Sequence, residues 1–242
     1  MRVIVAEITS GMISLRMTWV DLAFLHWRVP VDAVRKLVPP ALEIDTFDGH
    51  AWIGIVPFEM RNVAPQGLPP IPTASDFPEL NVRTYVTHGD RAGVWFFSLD
   101  AASWLAVMGA RGAANLPYFH ARMSCTRPGP DDVSYESERT HPGATPAAFR
   151  AWYRPTGPVF ESAPGRFEHW CTERLCLFST THEGGLQRLD IEHPRWPLQP
   201  AVTDVVLNTM AAASGIALPA EAPHVLFAKE LEVVAHWPTA LG

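Results

Sequence analysis

The side chains that could do chemistry lie in two short rows of alternating polar residues. In the first row, residues 79–86, Glu79, Asn81, Arg83 and Tyr85 share one face of a predicted strand. A carboxyl, an amide, a guanidinium and a phenol on one face could move a proton and hold an anion. These four residues are therefore candidates for catalysis or for contact with a small ligand.

The neighbouring sequence indicates that this polar row is enclosed. The segment Val94–Phe97, its predicted hairpin partner, is apolar on both faces, so both sides of the sheet should be covered there. Glu79 and Arg83 would be on the order of 13 Å apart along a strand, too far for direct pairing. Two interpretations stay open: the row is a structural hydrogen-bond network, or it contacts a ligand.

The second row consists of Tyr118, His120 and Arg122. Tyr118 offers a hydroxyl, His120 a group that titrates near neutral pH, and Arg122 a guanidinium that can clamp a carboxylate. A histidine satisfied within the core is the alternative for His120. Together the rows favour acid–base or anion-binding chemistry.

Other reaction classes find little support in the sequence. Lys36 and Lys229 are the two lysines, so a mechanism that needs a low-pKa amine has few candidates. The sequence lacks metal-binding histidine patterns, serine-hydrolase elbows, phosphate-binding loops and dinucleotide-binding fingerprints. The three cysteines (125, 171 and 176) are typical of reduced thiols rather than a disulfide framework. We therefore predict no metal and no cofactor.

Composition predicts a cytoplasmic globular protein with no nucleic-acid or membrane partner. The charge of −6 comes without a basic run, which disfavours binding to phosphate backbones. The most apolar window, residues 94–110, is short and contains Asp100, so a membrane-spanning helix is not expected. The apolar N-terminus is interrupted by Glu7 and has no cleavage pattern, which argues against export. A small-molecule ligand is the partner we expect, and homo-oligomerisation is left open.

Periodicity and turn residues predict a strand-rich α+β chain that forms one domain over residues 1–242. Predicted hairpins join 42–47 to 51–58 across Asp48-Gly49, 79–88 to 93–99, and 173–181 to 186–193. Further strands are predicted at 116–126, 134–140 and 225–237. Helices are predicted at 31–38, 101–114, 145–152 and 202–213.

Several segments, in order from about residue 19 to 238, resemble the YqjF-like family of bacterial domains of unknown function. They include Phe24-Leu25-His26-Trp27, Phe47-Asp48-Gly49-His50-Ala51, the stretch 77–86, Leu116-Pro117-Tyr118, Thr172-Glu173-Arg174 and the stretch 193–198. That family is in turn similar to acetoacetate decarboxylase. The resemblance implies a mainly antiparallel β-barrel with a buried cavity and a few peripheral helices.

The resemblance also implies which chemistry is missing. In acetoacetate decarboxylase a Pro-Lys-Lys turn follows an arginine-containing helix, and the first lysine forms an imine. Here Arg111 resembles the helix arginine and Pro117 the proline, while Tyr118 and Phe119 stand where the two lysines would be. Neither a phenol nor a phenyl ring can form an imine, so imine-type decarboxylation is disfavoured.

Three functions are compatible with these observations. The first is a module that binds a small carboxylate or carbonyl compound in the barrel. The second is a lyase- or hydratase-type enzyme acting on a small keto acid, with Tyr118, Glu79 and His120 as the acid–base residues. In both, Asn81, Arg83, Tyr85, Arg111 and Arg122 are the candidate binding residues. The third is a structural or oligomerising protein with a filled barrel.

Overall fold

The computed structural model describes residues 14–71 and 74–241. The N-terminal residues on which the prediction against export depends lie outside these ranges. The strands are β1 (Leu15–Val29), β2 (Glu43–Ile44), β3 (Ala51–Pro65), β4 (Phe77–His88), β5 (Arg91–Ala101), β6 (Tyr118–Thr126), β7 (Val133–Arg139), β8 (Ala148–Pro155), β9 (Cys176–Thr180), β10 (Leu186–Glu192), β11 (Leu198–Asn208), β12 (His224–Ala235) and β13 (Thr239–Ala240). The helices are α1 (Val31–Arg35), α2 (Trp104–Ala114), α3 (Phe167–Thr172) and α4 (Met210–Ala213).

The strands pair into two closed rings that share a wall. Nine strands close the larger ring in the order β5-β6-β7-β8-β11-β12-β1-β3-β4. Strands β9 and β10 bridge β5 to β12, and this closes a smaller ring of seven strands with the same β12, β1, β3, β4 and β5. The pairings are antiparallel except where β5 meets β6 and β9. The predicted strand-rich barrel is confirmed.

The shared wall is buried on both faces, as the apolar composition of residues 94–97 predicts. Leu22 and Phe24 of β1 belong to the core on the side of the smaller ring, whereas Ala23 and Leu25 belong to the core beneath β7 and β8. Because successive side chains of a strand point to opposite faces, one strand serves two interiors. Polar side chains in the buried part of this wall, such as Glu79, Asn81 and Arg83 of β4, are therefore enclosed.

Most predicted elements are confirmed. Strands β4 and β5 form the predicted antiparallel pair, and β9 with β10 forms another. Helix α2 begins three residues later than predicted, after Ser103, whose hydroxyl accepts a hydrogen bond from the Ala106 N–H. It ends at Ala114 and is followed by Asn115, which has the left-handed conformation common at helix ends.

Three local predictions were wrong, and tertiary pairing explains each. Asp48 and Gly49 do form a tight turn with positive φ, but Glu43-Ile44 pairs with β4 rather than with β3. The segments predicted as helices at 145–152 and 202–213 lie largely in β8 and β11, which pair with each other. Pairing to a neighbouring strand overrides weak helical periodicity, and Val202, Val205 and Val206 favour that outcome.

Among the described residues, no helix is long and apolar enough to cross a membrane.

Candidate functional site

A cavity of about 340 Å³ lies inside the smaller ring and opens to solvent beside α2. A barrel filled with side chains, the third interpretation, would leave no such space. The side chains that line it come mainly from β1, β3, β4, β5 and α2. They include Met17, Trp19, Val56, Phe58, Met60, Glu79, Asn81, Arg83, Phe96, Ala106, Gly109, Tyr118, Arg174, Leu177, Ile191, His193 and Trp196.

Alternation along β4 brings the polar row into this cavity. Glu79, Asn81 and Arg83 line it and are 2%, 5% and 9% exposed. Leu80 and Val82 point the other way and are fully buried in the second core. The cavity therefore holds a carboxyl, an amide and a guanidinium in a largely apolar wall.

Glu79 and Tyr118 form a buried hydrogen-bonded pair. The Tyr118 hydroxyl donates to Glu79 Oε2 at 2.9 Å. Burial raises the pKa of Glu79 to about 8, more than the hydrogen bond from Tyr118 lowers it, and the charge of Asp100 raises it further. Glu79 is thus mostly protonated at neutral pH. Burial also raises the pKa of Tyr118, and the neighbouring Glu79 carboxyl raises it further.

Arg83 brings a positive charge into the cavity without a carboxylate partner. It makes no salt bridge with any residue in 14–71 or 74–241, and its Nε has no hydrogen-bond partner there. Its guanidinium lies 5.2 Å from the Phe24 ring centre and 5.8 Å from that of Tyr85. The Asn81 Oδ1 also has no hydrogen-bond partner among the described residues. Both atoms are buried, so Arg83 and Asn81 line the cavity with part of their hydrogen-bonding capacity unused.

Tyr85, the last residue of the row, lies behind Arg83 and does not line the cavity. Its hydroxyl is 2.5 Å from His26 Nε2. Burial lowers the pKa of His26 well below its ordinary value, and the charge of Arg83 contributes, so the imidazole is neutral. At Gly54 a Cβ would lie 3.2 Å from His26 Nε2 and 3.3 Å from Arg83 Cγ, so glycine gives both side chains their space.

Arg174 also lines the cavity, and no pattern in the sequence predicts a role for it there. Its Nη1 lies 2.6 Å from Asp45 Oδ2, and its guanidinium packs 4.7 Å from the Trp170 ring centre. The two partners are 129 residues apart in the chain, so no local pattern signals their pairing. Since Asp45 neutralises Arg174, Arg83 is the cavity guanidinium without a carboxylate partner in the described part of the chain.

The second polar row is divided by the fold. Tyr118 lines the cavity, but His120 stacks on Trp104 with ring centres 4.7 Å apart and lies outside the cavity wall. Arg122 pairs with Glu138 on the surface, where its side chain is 73% exposed. Strand β6 runs beside β5 only from Tyr118 to His120 and then pairs with β7, which carries later residues away from the cavity.

Arg111 is also outside the cavity wall. Its Nη1 donates to the backbone carbonyl of Tyr118 at 2.8 Å. This contact fixes the start of β6, so Arg111 positions Tyr118 rather than facing the cavity.

The remaining residues considered for imine chemistry lie elsewhere. Phe119 packs beneath Arg139, whose guanidinium carbon lies 4.0 Å from the centre of the Phe119 ring. Lys36 is exposed, and Lys229 Nζ lies 2.6 Å from Asp21 Oδ1 with its side chain 58% exposed. The residues described contain no group of three or more histidine, cysteine or acidic side chains suited to a metal.

Comparison with known sequences identifies close relatives. The profile of the family DUF2071, described as an uncharacterised conserved protein, matches residues 16–232. The uncharacterised protein YqjF of Bacillus subtilis is 43% identical over 232 residues, which are 96% of this chain and 94% of YqjF.

Comparison with solved structures identifies the fold. The enduracididine biosynthesis enzyme MppR, complexed with pyruvate, has a TM-score of 0.66 at 12% identity, over 95% of this chain and 90% of MppR. Acetoacetate decarboxylase from Legionella pneumophila has a TM-score of 0.61 at 13% identity, over 96% of this chain and 88% of that enzyme. The predicted acetoacetate decarboxylase-like fold is confirmed, and at these identities the likeness extends to the fold alone.

Proposed function

The chain belongs to the DUF2071 family and has an acetoacetate decarboxylase-like barrel, and from this premise we propose that the cavity binds a small carboxylate or carbonyl compound without lysine chemistry. One observation carries the proposal: Arg83 is buried in the cavity without a carboxylate partner in the described ranges.

The charge balance of the cavity supports a bound anion. A buried charge without a counter-ion is costly, and a ligand carboxylate would supply one. Glu79 does not supply it, because burial keeps the pKa of that carboxyl near 8. Glu79, Tyr118 and the Asn81 amide NH2 group then supply neutral hydrogen-bond donors in the cavity wall for a carbonyl or carboxylate oxygen.

A structural neighbour supports the ligand class. MppR, which shares the fold, is described in complex with pyruvate, a small keto acid. One fold hosts many activities, so the proposal rests on Arg83 and the cavity, and the neighbour is secondary.

The pKa of Glu79 favours a second candidate function, an enzyme acting on a small keto acid. A carboxyl whose pKa is raised to about 8 can give or take a proton near neutral pH. With His120 outside the cavity wall, Glu79 and Tyr118 are the predicted acid–base residues that lie at the cavity. A lyase or hydratase reaction would use this pair.

Substitution of Arg83→Gln tests the proposed function. We expect the affinity for a small carboxylate such as pyruvate to fall about 30- to 100-fold, since a hydrogen bond to a charged group contributes roughly 2–3 kcal/mol. Isothermal titration of the wild type and the variant measures the change. Arg122→Gln, which removes an exposed guanidinium outside the cavity, is the matched control and should bind as the wild type does. Equal affinities for wild type and Arg83→Gln would contradict the proposal.

Borohydride reduction in the presence of a keto acid tests the exclusion of imine chemistry. We expect no covalent adduct at Lys36 or Lys229, because neither amine lines the cavity and Lys229 pairs with Asp21. Intact-mass and peptide-mass measurements detect the added mass. A keto-acid-dependent adduct on either lysine would overturn this part of the proposal.

A further inference from the structure

The cavity is strongly asymmetric in polarity. Glu79, Asn81 and Arg83 form a buried polar cluster, whereas most of the remaining wall is apolar, with Arg174, His193 and His236 as its other charged or titratable side chains. We propose that the ligand is an amphipathic monocarboxylate, whose carboxylate lies at Arg83 and whose apolar chain runs beneath α2 toward the opening. This inference rests on the proposed function and specifies the ligand class.

Helix α2 leaves room for such a chain. The residues that it presents to the cavity are mostly small: Ala106, Gly109, Ala110, Ala113 and Ala114. A Cβ built at Gly109 would have no heavy atom of residues 14–71 or 74–241 within 4 Å. A larger residue at Ala106, Ala110 or Ala114 would take up space beneath the helix, and one at the exposed Gly109 or Ala113 would narrow the opening.

The partly exposed lining of the cavity includes three large apolar side chains besides His193 and His236. Leu15, Leu105 and Trp237 line the cavity and are 40%, 71% and 53% exposed. Covering exposed apolar surface is favourable, and a polar ligand would not do so. An apolar chain emerging from the cavity would bury these three side chains.

The size of the cavity agrees with a chain longer than that of a three-carbon acid. A volume of about 340 Å³ falls within the range of roughly 300–1,000 Å³ that is typical of sites for much larger ligands. Pyruvate at Arg83 would leave most of the apolar wall against water. Each methylene added to the ligand would remove more of that wall from water.

A series of unbranched carboxylates from propionate to dodecanoate, each below its micelle concentration, tests the inference by isothermal titration. We expect affinity to rise about four-fold per methylene, the equivalent of about 0.8 kcal/mol each, until the chain reaches the opening. Alkanols of the same lengths should show the same rise at weaker absolute affinity, because they lack the charge that pairs with Arg83.

Two glycines of α2 provide a matched pair of variants. Gly109 lines the cavity and Gly112 does not, and in the described part of the chain neither has a heavy atom within 4 Å of a built Cβ. Gly109→Leu should lower the affinity for decanoate at least ten-fold and leave propionate unchanged, whereas Gly112→Leu should change neither. Both exchanges raise helix propensity equally, and thermal unfolding verifies that both variants fold.

The outcomes separate this inference from the proposed function. If carboxylates of all lengths bind equally and through Arg83, the amphipathic ligand is wrong and the proposed function stands. If no carboxylate binds the wild type, the proposed function fails and this inference fails with it. Equal losses of decanoate binding in Gly109→Leu and Gly112→Leu would place the chain outside the cavity and overturn the inference.

Discussion

The free energy of unfolding of the wild type is expected to fall by about 5 kcal/mol between pH 4.5 and 8. The Glu79→Gln variant should not show this decline. Burial raises the pKa of Glu79 from its ordinary value of 4.5 to about 8 in the folded protein. Between these values the unfolded chain releases the proton and the folded protein keeps it, so stability falls by about 1.4 kcal/mol per pH unit. Below pH 4.5 both states are protonated, and above pH 8 both are ionised, so the effect is confined to this window.

Urea unfolding of wild type and Glu79→Gln at pH 5, 6, 7 and 8 measures the effect. The difference in unfolding free energy should grow steadily with pH in favour of the variant, since glutamine has no proton to lose. Glu138→Gln, at a surface carboxyl that is 59% exposed, is the control and should follow the wild type. Parallel curves for wild type and Glu79→Gln would show that Glu79 is ionised in the folded protein, and the charge balance proposed for the cavity would be wrong.

The protonation of Glu79 links stability to the proposed function. The Tyr118 hydroxyl occupies Glu79 Oε2, so the acid proton is free to be donated from the other oxygen to a ligand. At neutral pH the charge of Arg83 then remains for the ligand carboxylate. Ionisation of Glu79 above pH 8 adds a negative charge to the same cavity, so anion affinity should decline there.

The sequence allowed the polar face of β4 to be predicted, because strand alternation is a local property. Glu79, Asn81 and Arg83 line the cavity as a set, and the apolar segment 94–97 correctly indicated that their side of the sheet is enclosed. Tyr118 was placed by family resemblance, and the structure puts it in the cavity wall.

The parts of the site that could not be predicted depend on long-range packing. Alternation predicts a shared face for Tyr118, His120 and Arg122, but it does not reveal that β6 leaves β5 after His120. The pairing of Arg174 with Asp45 likewise depends on two segments that meet only in the folded barrel. The volume beneath α2 depends on which face of the helix turns inward, and a helix so rich in alanine and glycine gives little indication of that face.

The Arg139→Met variant is expected to lose about 3–5 kcal/mol of stability, because it leaves Asp100 buried without a partner. Arg139 Nη2 and Nε lie 2.6 and 2.8 Å from the two carboxylate oxygens of Asp100, and the side chains are 3% and 0% exposed. Urea unfolding at pH 7 measures the loss. Arg122→Met is the matched control on the neighbouring strand. It breaks the exposed pair with Glu138 and should cost less than about 1 kcal/mol.

A double replacement distinguishes the cost of an unpaired charge from the cost of lost packing. Asp100→Leu combined with Arg139→Met removes both charges and should recover most of the stability lost by Arg139→Met alone. A double variant as unstable as the single one would mean that packing of the Arg139 stem, not charge pairing, stabilises the site. Since the Arg139 guanidinium also packs on Phe119, next to Tyr118, the single variant should loosen Tyr118 as well. The Arg139→Met variant should therefore bind carboxylates more weakly, in addition to being less stable.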